Sequence, residues 1–165
     1  MLYHRCVAPP SKTTLKAALL AQLEQDLATA RRAHKAAVEG ATHAEARPEN
    51  DKDTRGLEQS YLARGVALRA AELEAAAAGI AGWHVRDFAS DAVIALGALV
   101  SVDDDGRTRR FLLAAHGGGV TLPGDISVVT PTSPIGRALL GRRVDDDCEV
   151  HLGGSPRTLS IVALE

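Results

Sequence analysis

Four carboxylates fall within nine positions in the stretch ATHAEARPENDKDTRG, residues 41–56: Glu45, Glu49, Asp51 and Asp53. Carboxylate oxygens are the ligands a hard divalent cation such as Mg²⁺ takes, in near-octahedral geometry. A metal ion held this way can polarise a water for attack on a phosphodiester. The same four acids also suit a solvated turn, since exposed turns are commonly charged. A second group with chemical potential is the basic cluster Arg31, Arg32, His34 and Lys35, with Arg64 and Arg69 further along the chain. Such a cluster can pair with nucleic-acid phosphates or line a solvated helix face. His116 precedes three glycines, but no nucleophile elbow accompanies it, so His116–Gly119 is expected to be a loop. Cys6 and Cys148 stand far apart and in no zinc-binding spacing, which suits a reduced, cytosolic setting.

Helical sequence runs into the acidic stretch and away from it. Pro9-Pro10 followed by Ser11 or Thr13 predicts a capped helix start. Leu20, Leu23, Leu27, Ala30, His34, Ala37, Ala41 and Ala44 then recur at spacings of three and four. Pro48 breaks the helix, because proline removes a donor and disfavours the α region for the residue before it. A return helix from near Asp51 or Thr54 carries Leu57, Tyr61, Leu68, Ala71, Ala75 and Ala78 on one stripe and ends at Gly79 and Gly82. Folding the pair about Pro48 and Glu49 sets Leu57 opposite Ala41, Leu68 opposite Ala30 and Ala75 opposite Leu23. The expected element is an antiparallel α-helical coiled-coil hairpin over residues 1–82, roughly 45 Å long, with the acids at its tip. The seam is satisfied within one chain, so a monomer is expected.

Past the joint at Trp83, His84, Val85 and Phe88, the periodicity changes from helical to strand-like. The apolar run Ala92–Val102 reads as a strand, Asp103-Asp104-Asp105-Gly106 as a hairpin turn, and Thr108–Ala115 as its partner. Val120–Leu122 and Ile126–Val129 are two short strands about Pro123-Gly124. Thr130–Gly141, TPTSPIGRALLG, specifies one helix, with Ser133 as cap, Pro134 at the first position and Gly141 as terminator. Cys148–Leu152 and Arg157–Leu164 form a last hairpin. Residues 83–165 are therefore a small antiparallel sheet with one helix, and the whole chain is α+β.

Bulk properties narrow the function classes. Lys and Arg number 19 against 21 Asp and Glu, so a general polyanion binder is excluded and any nucleic-acid contact must be local. Aromatic residues are 3% of the chain, and Phe111 is the only one after Phe88, which argues against a prolyl isomerase with an aromatic-lined pocket. No apolar run is long enough to span a membrane, and the N-terminus lacks the apolar core of a signal peptide, so a cytoplasmic protein is expected.

SPIGRALLGRRVDDDCEV at 133–150 closely resembles the SPI-x-RAL-x-G-x-x-x-x-D stretch of the Gre family of bacterial transcript cleavage factors, and ISVV at Ile126–Val129 fits as well. PEN at Pro48–Asn50 lies where that family has SEN, and the flanking helices agree with its coiled-coil hairpin. The resemblance implies an FKBP-like C-terminal domain that docks on RNA polymerase through Ser133, Pro134 and Ile135. It further implies a hairpin that reaches down the secondary channel, with Arg31, Arg32 and Lys35 facing the nascent RNA 3′ segment. Tip acids Glu49 and Glu45, with Asp51 and Asp53, would then help to hold a catalytic Mg²⁺ shared with the polymerase, the factor having no active site of its own. The family's tip motif is Asp-x-x-Glu; Glu49 fills its Glu position and Ala46 stands where the Asp belongs. Some relatives occupy the same channel without cleaving, and a channel-binding regulator is the alternative.

Overall fold

The computed structural model describes residues 10–45 and 55–165. The chain divides into two compact units, Leu20–Ala81 and a second one that joins the stretch ending at Leu19 to Gly82–Glu165.

Two long helices make the first unit: α1, Lys12–Glu45, whose opening turns belong to the other unit, and α2, Arg55–Gly82. Of the two caps the sequence offers, α1 uses Ser11, whose Oγ accepts from the Thr14 N–H at 3.2 Å. On α1 the expected stripe faces inward: Leu23 and Leu27 are buried, and Ala30, His34 and Ala37 are half-buried. On α2 the expected stripe does not. Leu57, Tyr61, Leu68, Ala71, Ala75 and Ala78 are all exposed, and the buried residues are Leu73, Ala76, Ala77 and Ile80, with Ala63, Val66, Ala67 and Ala70 half-buried. The facing pairs expected across Leu57, Leu68 and Ala75 are therefore corrected. An alanine-rich helix offers apolar residues on more than one face, so periodicity alone cannot choose between them. The buried face carries Leu73 and Ile80, whereas Leu57, Tyr61 and Leu68 on the other face stay exposed, so side-chain size does not make the choice either. Arg31 reaches Glu74 at 3.0 Å across the pair.

The second unit is a six-stranded sheet in the order β3-β4-β2-β1-β6-β5, with one short helix. Its strands are β1 Leu99–Asp104, β2 Arg107–Leu113, β3 Thr121–Leu122, β4 Ile126–Val129, β5 Asp147–Leu152 and β6 Ser155–Leu164, and α3 is Pro134–Leu139. The sheet is mixed where an antiparallel one was expected, since β2 and β4 run parallel. Parallel neighbours need a crossover, and residues 114–125 supply it. The apolar run from Ala92 splits: 92–98 form turns, with Gly97 at φ 91°, and only the part from Leu99 is strand. The main-chain bonds Ile94 N–H to Arg142 and Gly141 N–H to Ile94, both to carbonyls, spend that segment on the end of α3 instead. Two-residue turns close the β1–β2 and β5–β6 hairpins, Asp105-Gly106 and Gly153-Gly154, and all four residues have positive φ, the form whose twist matches paired strands.

Phe111, Leu113, Val100, Val102, Leu159 and Ile161 form the centre of the sheet's core, and Leu139 of α3 packs into it. The opening turns of α1 complete this unit with Leu15 and Leu19, both fully buried. A Cβ on Gly117 would stand 2.6 Å from Leu19 Cδ1, so the loop read from HGGG owes one glycine to close approach by α1. Lys12, buried, donates to the Arg86 carbonyl, lies 3.9 Å from Asp87 and sits 5.0 Å from the Phe88 ring centroid. Burial pulls its ammonium below the usual lysine range, against the opposing pull of Asp87. Trp83 is half-buried with its ring over Gly97, a packing role, and its carbonyl accepts from Lys16 at 2.6 Å.

The two faces of α2 separate in a stability measurement. Leu73→Ala is expected to cost about 2 to 4 kcal/mol, and Leu68→Ala no more than about 0.5 kcal/mol. Equal losses in thermal denaturation followed by circular dichroism would return the seam to the Leu68 face.

Candidate functional site

The tip acids Glu49, Asp51 and Asp53, together with Ala46, lie outside the described residues. Glu45 is the last residue of α1. Among the described residues, no group of three or more His, Cys, Asp or Glu side chains is placed to hold a metal ion.

The basic cluster is partly matched by acid. Arg31 pairs with Glu74 at 3.0 Å, Lys35 with Glu39 at 3.9 Å and Arg69 with Glu72 at 3.4 Å, while Arg32 donates to Thr29 Oγ1 at 3.0 Å. Spacings of one, three and four set Arg31, Arg32 and Lys35 on one side of α1. All three are exposed, and exposed pairs are worth ~0.2 to 1 kcal/mol each, so an incoming phosphate could replace these acids at little cost.

The most closely built site lies where β4 passes into α3. Thr130 follows the last residue of the strand, and its carbonyl accepts from the Ser133 N–H at 2.9 Å and from the Ser133 hydroxyl at 2.8 Å. Ser133 Oγ in turn accepts from the Gly136 N–H at 3.1 Å, making Ser133 the N-cap of α3. A Cβ on Gly136 would stand 1.9 Å from the Thr130 oxygen, so no other residue fits there without moving the backbone. This glycine is the variable position of SPI-x-RAL, and the sequence offered no signal for it. The three expected docking residues come together here in different roles. Ser133 is spent on capping, Ile135 is half-buried and packs against the core, and Pro134 is exposed at the first helical position.

Beside Pro134 and Ile135 opens a cavity of about 400 Å³, floored by Phe111, Val128 and Val129 and bordered by Gly118 and Gly119. Arg109 stands at its rim, with its guanidinium carbon 5.2 Å from the Phe111 ring centroid. Arg109 and Arg157 both reach Asp104 Oδ2, at 3.1 and 3.4 Å. Asp104 is only 7% exposed; its acidic run with Gly106 predicts a turn, whereas it is the last residue of β1 and a paired buried acid. Period-two alternation puts Arg109 and Phe111 on one face of β2, a signal visible in the sequence and not used for the site.

A family model described as "Transcription elongation factor, GreA/GreB, C-term" matches residues 89–165, which contain the whole of this site. Residues 89–165 are similar to the C-terminal part of GreA/GreB factors. The curated transcription elongation factor GreA of Streptomyces coelicolor is 36% identical over 81 residues, and the aligned stretch is 47% of each protein, so the chain spans about half the length of the curated relative it matches. Among solved structures, GreA factor homolog 1 (Gfh1) of Thermus thermophilus is 23% identical, covering 90% of this chain and 95% of that one, with a TM-score of 0.40. Gfh1 of Thermus aquaticus is 22% identical, with 92% and 96% covered and a TM-score of 0.41. The similarity to GreA/GreB factors is thus carried by the part of the chain that holds the α3 site, and the family match begins after the helical pair ends.

The α3 turn gives a direct test. Gly136→Ala should destabilise the C-terminal unit by at least about 2 kcal/mol, from overpacking against a carbonyl that the Ser133 bonds hold in place. Ser133→Ala should cost about 1 kcal/mol, the worth of an N-cap. Denaturant midpoints measure both, and an unchanged midpoint for Gly136→Ala would mean the turn opens freely.

Proposed function

We propose that this chain is a transcription elongation factor that binds RNA polymerase at the secondary channel through its α3 site and acts on backtracked RNA through its tip acids. The observation that carries this reading is the α3 turn itself. Pro134 is exposed at its front, the apolar cavity lies alongside, and the Thr130, Ser133 and Gly136 geometry holds both in a fixed shape. A preformed apolar hollow with one projecting rigid ring suits protein docking, because little entropy is lost when the partner seats.

In this reading the chain has no active site of its own, and one copy works with one polymerase in the cytoplasm. Glu49, with Glu45, Asp51 or Asp53 in place of the acid absent at Ala46, would hold a Mg²⁺ shared with the polymerase. When bound, that ion supplies the Lewis acidity that activates a water toward the RNA phosphodiester. Arg31, Arg32 and Lys35 pair with phosphates of the RNA 3′ segment and give up their exposed acid partners to do so.

A second reading has a specific residue in its favour. Ala46 removes one carboxylate of the family's tip pair, and a factor with a single placed acid would occupy the channel and regulate by exclusion.

Pro134→Glu should weaken polymerase binding about tenfold or more in a pull-down, while the denaturation midpoint stays unchanged. Wild-type affinity in that variant would remove the docking assignment.

In a cleavage assay on stalled complexes, Glu49→Ala should abolish RNA cleavage and leave polymerase affinity intact, and Ala46→Asp should raise cleavage. A wild type that never exceeds background, with activity gained only in Ala46→Asp, decides for the exclusion reading.

A further inference from the structure

The four most exposed large apolar side chains among the described residues all lie on α2: Leu57 at 61%, Tyr61 at 71%, Leu62 at 60% and Leu68 at 64%. Three of them, with Ala71, Ala75 and Ala78, follow one another on the stripe that the sequence had assigned to the seam with α1, and all of these are exposed. With Arg64 included, the positions 57, 61, 64, 68, 71, 75 and 78 alternate steps of four and three without a break. Helix periodicity sets this stripe roughly 160° from the buried residues Leu73, Ala77 and Ile80, so α2 is apolar on two opposite sides. A helix with a single apolar stripe is satisfied by one neighbour, whereas a second stripe of heptad spacing is the pattern that calls for another helix.

The sizes along the stripe identify that helix. Large residues occupy its first half and alanines its second. Two copies of α2 aligned antiparallel about Val66 set Leu57 of each against Ala75 of the other and Tyr61 against Ala71, so these two large side chains each meet an alanine, while Leu68 lies beside Arg64. A parallel alignment sets Leu57 on Leu57 and Ala75 on Ala75, and it brings the two Arg64 charges together. In the antiparallel pair the Arg64 stem lies along Leu68, and its charged end falls within a turn of Glu72 of the other copy.

We infer that the outward stripe of α2 binds a second copy of this chain in an antiparallel pairing. This goes beyond the polymerase reading and does not depend on it. The stripe is three heptads long, the short end of what sustains such a seam, so the association is weak and reversible.

Sedimentation of the full chain over a concentration series, without polymerase, tests the inference. The mass should rise from one copy toward two, and Tyr61→Glu with Leu68→Glu should hold it at one copy with helix content unchanged. Orientation is read by disulfide crosslinking in a Cys6→Ser background. Leu57→Cys mixed with Ala75→Cys should crosslink between chains, and neither variant alone should do so. A one-copy mass at every concentration overturns the inference, as does a crosslink in Leu57→Cys alone, which would mean a parallel pair. If the chain stays single while Tyr61→Glu lowers polymerase affinity, the stripe is a surface for that protein and self-association is wrong. If the double variant loses helix, the crosslinking result decides.

Discussion

The C-terminal unit depends on one carbonyl oxygen, that of Thr130. It accepts two hydrogen bonds from Ser133, and it leaves room for nothing larger than glycine at residue 136. These constraints end β4, start α3 within three residues and fix the angle at which the helix leaves the sheet. That angle lets Leu139 reach the core beside Phe111 and Leu113, and it stands Pro134 at the mouth of the apolar cavity. Because β4 runs parallel to β2, its end and the start of α3 fall at the same side of the sheet as the end of β2. The cavity, the rim arginine and the helix cap thus follow from one strand end.

Charge is distributed by burial. Asp104, nearly closed off from solvent, is matched by Arg109 and Arg157, because an unpaired buried carboxylate would cost more than the pair returns. Lys12, likewise buried, has Asp87 and the Arg86 carbonyl. On α1 and α2 the pairs are exposed and individually weak, so Arg31, Arg32 and Lys35 stay free to exchange partners. The first kind of pair holds the fold, and the second kind is available to a ligand.

The helical pair has the opposite problem from the sheet: more apolar surface than one seam can cover. Leu23 and Leu27 of α1, with Leu73 and Ile80 of α2, bury the large side chains at one end. Leu57, Tyr61 and Leu68 remain outside. A two-helix element has one contact per helix, so a helix with two apolar faces keeps one in water until something else arrives.

By itself the sequence determined much of this protein. Ser133 and Pro134 announced α3, the pair Asp105-Gly106 announced the first hairpin, Pro123-Gly124 separated β3 from β4, and Leu23 and Leu27 announced the inner face of α1. Each of these signals is local, a turn, a cap or a single unambiguous stripe, and SPIGRALLG lies within the residues that match the GreA/GreB family model. Tertiary structure decided the rest, because those choices were made by distant residues. The parallel pairing of β2 and β4 left no mark in either strand, since register and direction are properties of a pair. Gly136 became obligatory only once Thr130 folded back over it, and Asp104 became a buried acid only when Arg109 and Arg157 from neighbouring strands closed on it. The inward face of α2 was settled by packing in the helical pair and not by spacing, since α2 carries large apolar residues at helical period on two sides.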